Sequence, residues 1–430
     1  MEVKERKFLV FGSGISGIGA AKLLAQHGAQ VVLYDGNEKL DKAGLLSSLG
    51  GGPKTSVVLG SFPEDLLDGL DMVILSPGVP TDLPVVEEMR KRGIQVIGEV
   101  ELAYAFGKGD VLAITGTNGK TTTTSLLGEI MKNCQDDVYI VGNIGNPYTA
   151  VAGQMNENTI TVAEMSSFQL ESIVDFRPKV SAILNFTPDH LNRHHTMEAY
   201  VNAKKNIARN QGPQDYCILN YEDGLTREFG KKVKAQVLYF SSQRKLEKGI
   251  YLEDGNIIYR DGEEVSVCRV DELQLLGTHN YENVMAAVAM AYVYGVPMET
   301  IRKSIKEFKG VEHRIEYVTE KNGVAYYNDS KGTNPDAAIK GIQAMNRPTV
   351  LIGGGMDKAI SFDPWTALFS GRVKKLILLG ETREQIFQSA VSAGYPAEDI
   401  LRVNTLEEAV RSAADLAEAG DSVLLSPACA

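Results

Sequence analysis

The sequence has few cysteines, and none of them is placed for a metal site or a disulfide framework. The four are Cys134, Cys217, Cys268 and Cys429, which lie far apart without any Cys-x-x-Cys or Cys/His spacing. We therefore expect neither a zinc site nor a disulfide scaffold, and a reducing cytoplasmic compartment fits best.

Long apolar runs and an excess of basic residues are also missing. Residues 1–7 are mostly charged and lead into a short strand-like run instead of a signal-peptide core, and no stretch is long enough to span a bilayer. The 44 Lys and Arg are outnumbered by 55 Asp and Glu, which gives a net charge of −11. We expect a soluble cytoplasmic protein with neither a membrane nor a nucleic acid as partner.

Apolar residues are plentiful enough for several cores, because 43% of the 430 residues are hydrophobic. Strand-like runs alternate with helical periodicity, which predicts parallel sheets flanked by helices. These runs cover 8–11, 31–34, 72–75, 111–114, 161–165, 180–185, 216–220, 325–327, 350–352, 376–379 and 422–425. Residues 249–259 add a predicted hairpin with an Asp-Gly-Asn turn. Seams near Gly98 and Lys309-Gly310 predict three α/β domains, 1–98, 99–309 and 310–430.

A Gly- and Thr-rich segment, 115–124, follows the apolar run 111–114 and precedes a predicted helix, 125–132. A strand that turns into a helix in this way directs backbone N–H groups at one point, which suits a polyphosphate. Lys120 would reach the terminal phosphates, and Thr121 would offer a hydroxyl to Mg²⁺. The general pattern GxxxxGK[ST] requires a glycine where Ile114 stands, so only its functional end, Gly119-Lys120-Thr121, is intact.

A second glycine-rich turn, 12–17, follows the first strand, and Asp35 closes the second strand. By itself this GxGxxG pattern indicates a dinucleotide-binding domain, but the same turn can hold the pyrophosphate of a UDP-sugar. Because the stronger phosphate loop lies at Lys120, a nucleotide-carrying substrate is favoured over NAD(P). The turn at Gly78 also follows a strand, where ligands of open α/β sheets collect.

Polar side chains follow two further strands of the middle domain. Glu164 lies near the end of the run 161–165, and His190 comes shortly after the run 180–185. Both are expected at the sheet edge that carries Lys120, and together they predict a metal site there. His194 and His195 are interpreted as surface or satisfied core residues.

Other polar groups have competing interpretations. Asn280 and Asn283 share one helix face and could pair with an adenine edge, although helix capping is an alternative for Asn280. Lys204 lies on an amphipathic helix, where a lysine is usually solvated. The polar segments 312–314, 328–335 and 353–358 of the last domain suit phosphate and carboxylate groups.

Taken together, these motifs resemble the Mur ligase family, whose altered phosphate loop removes the objection over Ile114. The resemblance is carried by 115–122, Glu164 with 166–169, His190, Asn280 with Asn283, His313-Arg314 and 329–333, in that order along essentially the whole chain. The segments 76–78, 143–145 and 426–430 are most similar to the branch of the family that adds D-glutamate.

The resemblance implies an α/β protein of three domains: a Rossmann-like N-terminal domain for the uridine nucleotide, a central P-loop-type ATPase domain, and a Rossmann-like C-terminal domain that closes with the amino acid. It further implies an ATP-dependent amide ligase of cytoplasmic peptidoglycan precursor synthesis. Its substrates would be UDP-N-acetylmuramoyl-L-alanine, D-glutamate and ATP, and the reaction would pass through an acyl phosphate. Two Mg²⁺ ions, a carbamylated lysine and a monomeric state are expected with it.

The same resemblance implies roles for particular residues. The expected catalytic residues are Lys120, His190, Lys204 and Lys331, and the expected metal ligands are Thr121, Glu164, His190 and carbamylated Lys204. ATP would be bound by Gly116, Thr117, Asn118, Gly119, Lys120, Thr121, Thr122, Asn280, Asn283, Arg314, Asp329 and Lys331. The other substrates would be bound by Ile15, Ser16, Asp35, Gly78, Asn143, Ser166, Gln169, Thr333 and Lys358.

One departure from the family and several alternatives qualify these expectations. Family members continue past the final Ser-Pro-Ala-Cys-Ala with a helix that helps hold the glutamate carboxylate, so the sequence is expected to be truncated or to lack part of that pocket. A sister Mur ligase or a folylpolyglutamate-type ligase would share the central motifs. An NAD-linked oxidoreductase would explain only the turn 12–17, and a nucleotide-sensing module would bind ATP without releasing phosphate.

Overall fold

A computed structural model of the protein describes residues 1–50, 52–357 and 361–429. Its strands form three sheets, each flanked by helices, as expected for an α/β protein of three domains. By packing, the chain divides into two compact units, of which the first comprises 1–267 and 283–302 and the second 268–282 and 303–430. The boundaries 1–98, 99–309 and 310–430 stay predictions.

The first sheet is parallel throughout and has the order β3-β2-β1-β4-β5. Its strands are β1 (Lys7–Phe11), β2 (Gln30–Asp35), β3 (Thr55–Leu59), β4 (Met72–Leu75) and β5 (Gln95–Gly98). The helices of this region are α1 (Ile15–Gln26), α2 (Lys42–Ser48), α3 (Pro84–Lys91) and α4 (Glu99–Phe106). Strand order reverses between β1 and β4, so the turns after these two strands border the crevice in which open α/β sheets bind ligands.

The second sheet has nine strands in the order β14-β13-β12-β11-β10-β9-β6-β8-β7. They are β6 (Asp110–Thr115), β7 (Val138–Gly142), β8 (Ile160–Glu164), β9 (Val180–Ile183), β10 (Tyr216–Asn220), β11 (Gln236–Ser241), β12 (Lys248–Glu253), β13 (Asn256–Asp261) and β14 (Glu263–Arg269). The associated helices are α5 (Lys120–Lys132), α6 (Ser167–Leu170), α7 (Leu191–His194), α8 (Met197–Lys205), α9 (Gly224–Gly230), α10 (Thr278–Tyr294) and α11 (Met298–Glu307). Since β6 lies between β8 and β9 and parallel to both, the segments that follow these three strands meet at one edge.

The hairpin predicted over 249–259 is confirmed as β12 and β13, which pair antiparallel. Asp254 and Gly255 form its turn with φ angles of 49° and 75°, as a two-residue type I′ turn requires. Several predicted boundaries were wrong, and two of them bear on the site. The strand predicted over 180–185 ends at Ile183, because Asn185 bonds the phosphate loop, and the helix predicted from Ser125 already begins at Lys120.

The third sheet belongs to the second unit and has the order β15-β16-β20-β17-β18-β19. Its strands are β15 (Glu316–Lys321), β16 (Val324–Asn328), β17 (Thr349–Gly353), β18 (Val373–Leu378), β19 (Ile400–Arg402) and β20 (Ser422–Leu425). Its helices are α12 (Pro335–Ala344), α13 (Asp363–Thr366), α14 (Arg383–Ser392) and α15 (Leu406–Leu416). Because β20 pairs parallel with β16 and β17, the polar segments that follow these strands come together.

Short 3₁₀ helices complete the described secondary structure: Glu64–Leu67, Tyr148–Ala150, Ala152–Gln154, Asn206–Ala208, Val270–Glu272 and Ala397–Asp399. Central strands such as β4 and β6 are apolar on both faces, because helices cover both sides of a parallel sheet. Among the described helices, none has both the length and the apolar character needed to cross a membrane.

Candidate active site

The phosphate loop joins β6 to α5 and depends on two glycines. Gly119, which precedes α5, has a φ of +86°, a conformation that other residues rarely adopt. A Cβ on Gly119 would lie 2.2 Å from Oδ1 of Asn283, and a Cβ on Gly116 would lie 3.0 Å from the Cβ of Leu184. The glycines therefore let an enclosed loop turn sharply into the N-terminus of α5, where anions bind favourably.

Lys120 folds back over this loop. Its Nζ donates hydrogen bonds to the carbonyl oxygens of Gly116, over 2.9 Å, and of Thr117, over 2.8 Å. The ammonium group is thus held beside the loop whose backbone and helix dipole suit phosphate. Thr121 is half-buried and Thr122 is buried in the first turn of α5.

The segment that follows β9 holds the phosphate loop in shape. The amide of Asn118 donates to Oδ1 of Asn185 over 2.9 Å, and the amide of Thr187 donates to Oγ1 of Thr117 over 3.0 Å. That hydroxyl also lies 2.9 Å from the hydroxyl of Tyr200. Sequence reasoning missed Asn185, Thr187 and Tyr200 as loop-supporting residues, although the position of Asn185 directly after a strand was a usable signal.

Lys204 is buried beneath the loop, so the usual interpretation of a solvated helical lysine was wrong for it. The residue is 2% exposed, and its Nζ donates to the carbonyl oxygen of Gly116 over 2.8 Å. Burial first, and then the charge of Lys120, lowers the pKa of Lys204 to about 7, against the opposing charges of Asp189 and Glu164. A large share of this amine is therefore neutral near pH 7.

Glu164 ends β8 with a buried carboxylate that is only half satisfied. Its Oε1 accepts a hydrogen bond from Nδ2 of Asn143 over 2.9 Å. Its Oε2 is buried and has no hydrogen-bond partner among the described residues. A buried unpaired carboxylate oxygen requires an explanation, and a divalent cation that prefers oxygen ligands provides one. The residues present therefore fit Mg²⁺.

His190 lies at the same sheet edge but is more open. It has a φ of 52°, its Nε2 is 3.5 Å from Oδ2 of Asp189, and its ring centroid is 4.9 Å from that of Phe168. Within 1–50, 52–357 and 361–429, no three His, Cys, Asp or Glu side chains converge on one point. A complete metal site thus needs ligands of another kind, such as a hydroxyl or a modified lysine.

Ser166 and Gln169 have a structural function at the start of α6. Oγ of Ser166 accepts a hydrogen bond from the amide of Gln169 over 3.2 Å, and Oε1 of Gln169 accepts one from the amide of Ser166 over 2.9 Å. This reciprocal capping box fixes both side chains next to the Glu164 strand end. Whether they also contact substrate stays a prediction.

In the first sheet, the turn 12–17 is bonded to Asp35. The amide and hydroxyl of Ser13 donate to Oδ2 of Asp35 over 2.8 and 2.6 Å. Partial burial acts to raise the pKa of Asp35, but hydrogen bonds from Ser13 and Asn37 outweigh it and lower the pKa. Ile15 is exposed, Ser16 is half-exposed, and Gly78 is exposed in the neighbouring turn after β4.

The two asparagines of α10 are both buried but belong to different units. Asn283 lies in the first unit, where its Oδ1 faces the position of Gly119. Asn280 lies in the second unit, and its Nδ2 donates to the carbonyl oxygen of Leu276 over 2.8 Å. Asn280 therefore lies within the first turn of α10 and donates to the segment before the helix, so its side chain ties the helix start to that segment.

The second unit has its own polar centre at the ends of β16 and β20. Oδ2 of Asp329 accepts a hydrogen bond from Oγ of Ser426 over 2.7 Å, and Oδ1 accepts one from the amide of Ile315 over 3.2 Å. Burial raises the pKa of Asp329 to about 6, although these bonds and the charge of Arg314 oppose the shift. Arg314 and Lys331 are exposed around this carboxyl group.

Two predicted substrate-binding residues of the second unit remain, Thr333 and Lys358. Thr333 is half-buried, and its amide donates to the carbonyl oxygen of Lys331 over 2.9 Å. Lys358 lies outside the described residues.

The fold and site define an enzyme of the nucleotide-binding α/β class, with a phosphate loop, a buried lysine and a half-satisfied carboxylate at one sheet edge. Comparison with known proteins narrows this class. Residues 6–98 match the Mur ligase MurD-like N-terminal domain, residues 114–291 the Mur ligase middle domain, and residues 313–429 the glutamate ligase domain of Mur ligases. The chain belongs to the Mur ligase family and is a ligase.

Two relatives of similar length carry the same name. The UDP-N-acetylmuramoylalanine--D-glutamate ligase of Lachnoclostridium phytofermentans is 55% identical over 99% of this chain and 93% of its own length. The enzyme of the same name from Clostridioides difficile is 47% identical over 100% of this chain and 95% of its own. Among solved structures, the UDP-N-acetylmuramate-alanine ligase of Thermotoga maritima has a TM-score of 0.60 at 20% identity, over 98% of this chain and 95% of that one. That likeness shows the shared fold.

Proposed function

We propose that this protein is an ATP-dependent amide ligase that joins D-glutamate to UDP-N-acetylmuramoyl-L-alanine in cytoplasmic peptidoglycan precursor synthesis. The observation that carries this proposal is the 55% identity, over nearly the whole chain, to a relative named for that reaction. The phosphate loop and the polar residues at the strand ends also support this proposal, because the reaction described below needs groups of both kinds.

An amide cannot form directly from a carboxylate, because its oxygen is a poor leaving group. The substrate carboxylate first attacks the γ-phosphorus of ATP, which forms an acyl phosphate and releases ADP. The amine of D-glutamate then attacks the acyl carbon, and the tetrahedral intermediate collapses with loss of phosphate and a proton. Catalysis of such a transfer rests on positioning and on stabilising charge at the phosphoryl group.

The residues of the first unit have distinct roles in this proposal. The backbone of the phosphate loop, with Gly116, Thr117, Asn118, Gly119, Thr121 and Thr122, holds the phosphates of ATP. Lys120 stabilises the charge on the transferred phosphoryl group, and Asn283 contributes to the adenine side. Ile15, Ser16, Asp35 and Gly78 bind the uridine nucleotide, while Asn143, Ser166 and Gln169 face its muramoyl part.

Lys204 takes part as a carbamate. Its neutral amine, available because the pKa is about 7, adds to CO₂, so that an N–C bond forms and one proton is released. The product is a carboxylate at the end of a buried side chain. Together with Thr121, Glu164 and His190 it would hold Mg²⁺, with two ions in all. When bound, these ions neutralise charge on the phosphate oxygens.

The second unit supplies the remaining contacts. Arg314, Asp329 and Lys331 bind ATP, with Lys331 also stabilising the transferred phosphoryl group, and Asn280 contributes to the adenine side. Thr333 and Lys358 bind D-glutamate. The proposed assembly is a monomer, which sedimentation at enzyme concentrations used for assay would test.

Phosphate release from ATP tests the proposal. The purified protein is incubated with UDP-N-acetylmuramoyl-L-alanine and, in parallel, with D-glutamate, L-glutamate, other amino acids or none. Release that requires both the nucleotide substrate and D-glutamate is expected. Release with a different amino acid would replace the proposal by a sister ligase. ATP binding without release under any condition would favour a nucleotide-sensing module.

A further inference from the structure

Arg193, in α7 of the middle domain, forms a bridge to the first domain. Its Nη2 donates to the carbonyl oxygen of Val79 over 3.0 Å and to Oε2 of Glu171 over 3.0 Å. The side chains of Arg193 and Glu171 are only 13% and 17% exposed. A charge-assisted pair shielded in this way is stronger and more directional than an exposed one.

The backbone that Arg193 holds is part of the turn that follows β4. The amide of Val79 closes this turn by donating to the carbonyl oxygen of Ser76 over 2.9 Å. Oγ of Ser76 in turn donates to the carbonyl oxygen of Gly12 over 2.9 Å. The turn therefore connects Arg193 to the first glycine-rich turn, and both turns border the switch-point crevice of the first sheet.

The other side of Arg193 faces the metal-site segment. Its guanidinium carbon lies 4.8 Å from the ring centroid of Phe168, whose ring also contacts that of His190. Oε1 of Glu171 lies 3.1 Å from Nδ1 of His194, and Nε2 of that buried histidine lies 2.9 Å from Oγ of Ser167. Burial lowers the pKa of His194, and its two ring nitrogens lie between Glu171 and Ser167. Glu171 is thereby held between Arg193 on one oxygen and His194 on the other.

We infer that Arg193 is a positioning residue for the uridine nucleotide substrate: by pinning the turn at Val79 to Glu171, it holds the first-domain crevice in the binding conformation. This inference rests on the proposed function and assigns a role to a residue outside the proposed ATP-binding and metal-binding sets. Arginine suits this position because one of its nitrogens, Nη2, donates both to a carbonyl oxygen and to a carboxylate while the guanidinium group lies over the ring of Phe168.

A matched control connects the same two segments. Nε2 of His195 lies 3.2 Å from Oδ2 of Asp82, but these side chains are 70% and 58% exposed. An exposed pair contributes little to structure or binding. Asp82→Asn therefore removes the charge from an inter-segment contact at almost the same place without disturbing a shielded pair.

The experiment compares wild type with Arg193→Leu, Arg193→Lys and Asp82→Asn in steady-state kinetics. For Arg193→Leu we expect the KM for UDP-N-acetylmuramoyl-L-alanine to rise about tenfold or more, as loss of a charge-assisted hydrogen bond implies. The KM for ATP and kcat at saturation should change less than about twofold. Arg193→Lys should be intermediate, and Asp82→Asn should match wild type. Thermal unfolding of each variant is measured in parallel.

Two results would overturn the inference. One is a fall in kcat with an unchanged KM for the nucleotide substrate, which would mean that Arg193 acts on the chemical step. The other is an equal loss in all parameters that follows a lowered unfolding temperature, which would mean a purely structural role. If the wild type itself shows no turnover with this substrate, the proposed function fails, and that failure is distinct from any difference among the variants.

Discussion

Lys120 and Lys204 donate hydrogen bonds to the same carbonyl oxygen, that of Gly116, over 2.9 and 2.8 Å. One lysine comes from the helix that starts at the phosphate loop and the other from α8, so two ammonium groups converge on one loop. Burial lowers the pKa of Lys204, and the nearby charge of Lys120 lowers it further, because two like charges this close disfavour each other. The loop thus favours one charged lysine and one neutral lysine, and the proposed carbamate requires a neutral amine at Lys204.

Replacing Lys204 should remove activity even when a cation is kept. Lys204→Arg cannot form a carbamate, so we expect kcat to fall by about 100-fold or more, as loss of a metal-positioning charge implies. Wild-type protein in ¹³C-labelled bicarbonate should show a carbamate carbon signal by NMR, and the variant should lack it. A variant that retains most of its activity would refute the carbamate role.

Lys204 should also make stability depend on pH. Its folded pKa of about 7 lies below the value of about 10.4 in the unfolded chain, so the unfolded state binds more protons between these limits. Wild type should therefore gain stability relative to Lys204→Met from about pH 7 to pH 9, by roughly 1 kcal/mol per pH unit. Urea unfolding in bicarbonate-free buffer measures this, with the exposed Lys231→Met as the control. Parallel pH curves for wild type and Lys204→Met would contradict the account.

Glu164→Gln should raise the Mg²⁺ requirement. The substitution replaces the carboxylate that carries the unpaired Oε2 by a neutral amide, which is a weaker ligand for Mg²⁺. The Mg²⁺ concentration for half-maximal activity should therefore rise about tenfold or more. Glu101→Gln is a suitable control, because Glu101 is also buried but accepts hydrogen bonds from three backbone amides, at 174–176. That variant should lose stability without a changed Mg²⁺ dependence. Similar Mg²⁺ curves for Glu164→Gln and wild type would exclude Glu164 as a ligand.

Gly119→Ala should disrupt the phosphate loop more than its backbone conformation alone explains. An added Cβ meets a φ of +86° and lies 2.2 Å from Oδ1 of Asn283. Gly93→Ala is the matched control, with a φ of +75° and open space around the Cβ. We expect about 1 kcal/mol of destabilisation for the control and more for Gly119→Ala, together with loss of ATP binding measured by calorimetry. Equal effects would show that the enclosure by Asn283 is unimportant.

Asp329 should reduce stability as its carboxyl group ionises. Its folded pKa of about 6 exceeds the value of about 3.9 in the unfolded chain, so the folded state binds more protons between these limits. Wild type should lose stability relative to Asp329→Asn as pH rises from about 4 to 7, by about 2 to 3 kcal/mol in total, with no further change above that. Unfolding midpoints across this range measure the difference, and a constant difference would contradict the raised pKa.

Much of the fold was predictable because interior strands of parallel sheets are continuous apolar runs. β4 and β6 show this clearly. The six strands at sheet edges within the described residues, β3, β5, β7, β14, β15 and β19, were all missed, and so was the interior strand β11. An edge strand has fewer neighbours to bury it, and β15 is almost entirely exposed. Its sequence therefore lacks the pattern that identifies an interior strand.

The site was predictable where a residue follows a strand directly, as Glu164 does. It was not predictable where burial depends on distant segments. Nothing local distinguishes Lys204 from Lys205, yet one is buried under the phosphate loop and the other is half-buried elsewhere. Arg193 and Glu171 are 22 residues apart and show no spacing signal. Only the packing of α6 beside α7 and α8 brings such charges together.

The most direct test of the account follows oxygen from substrate to phosphate. UDP-N-acetylmuramoyl-L-alanine labelled with ¹⁸O in its carboxylate is incubated with the protein, ATP and D-glutamate, and the released phosphate is examined by mass spectrometry. The account predicts phosphate that carries one labelled oxygen, formed together with the amide and only when D-glutamate is present. Unlabelled phosphate would contradict it, because ATP would then be hydrolysed by water without activating the carboxylate.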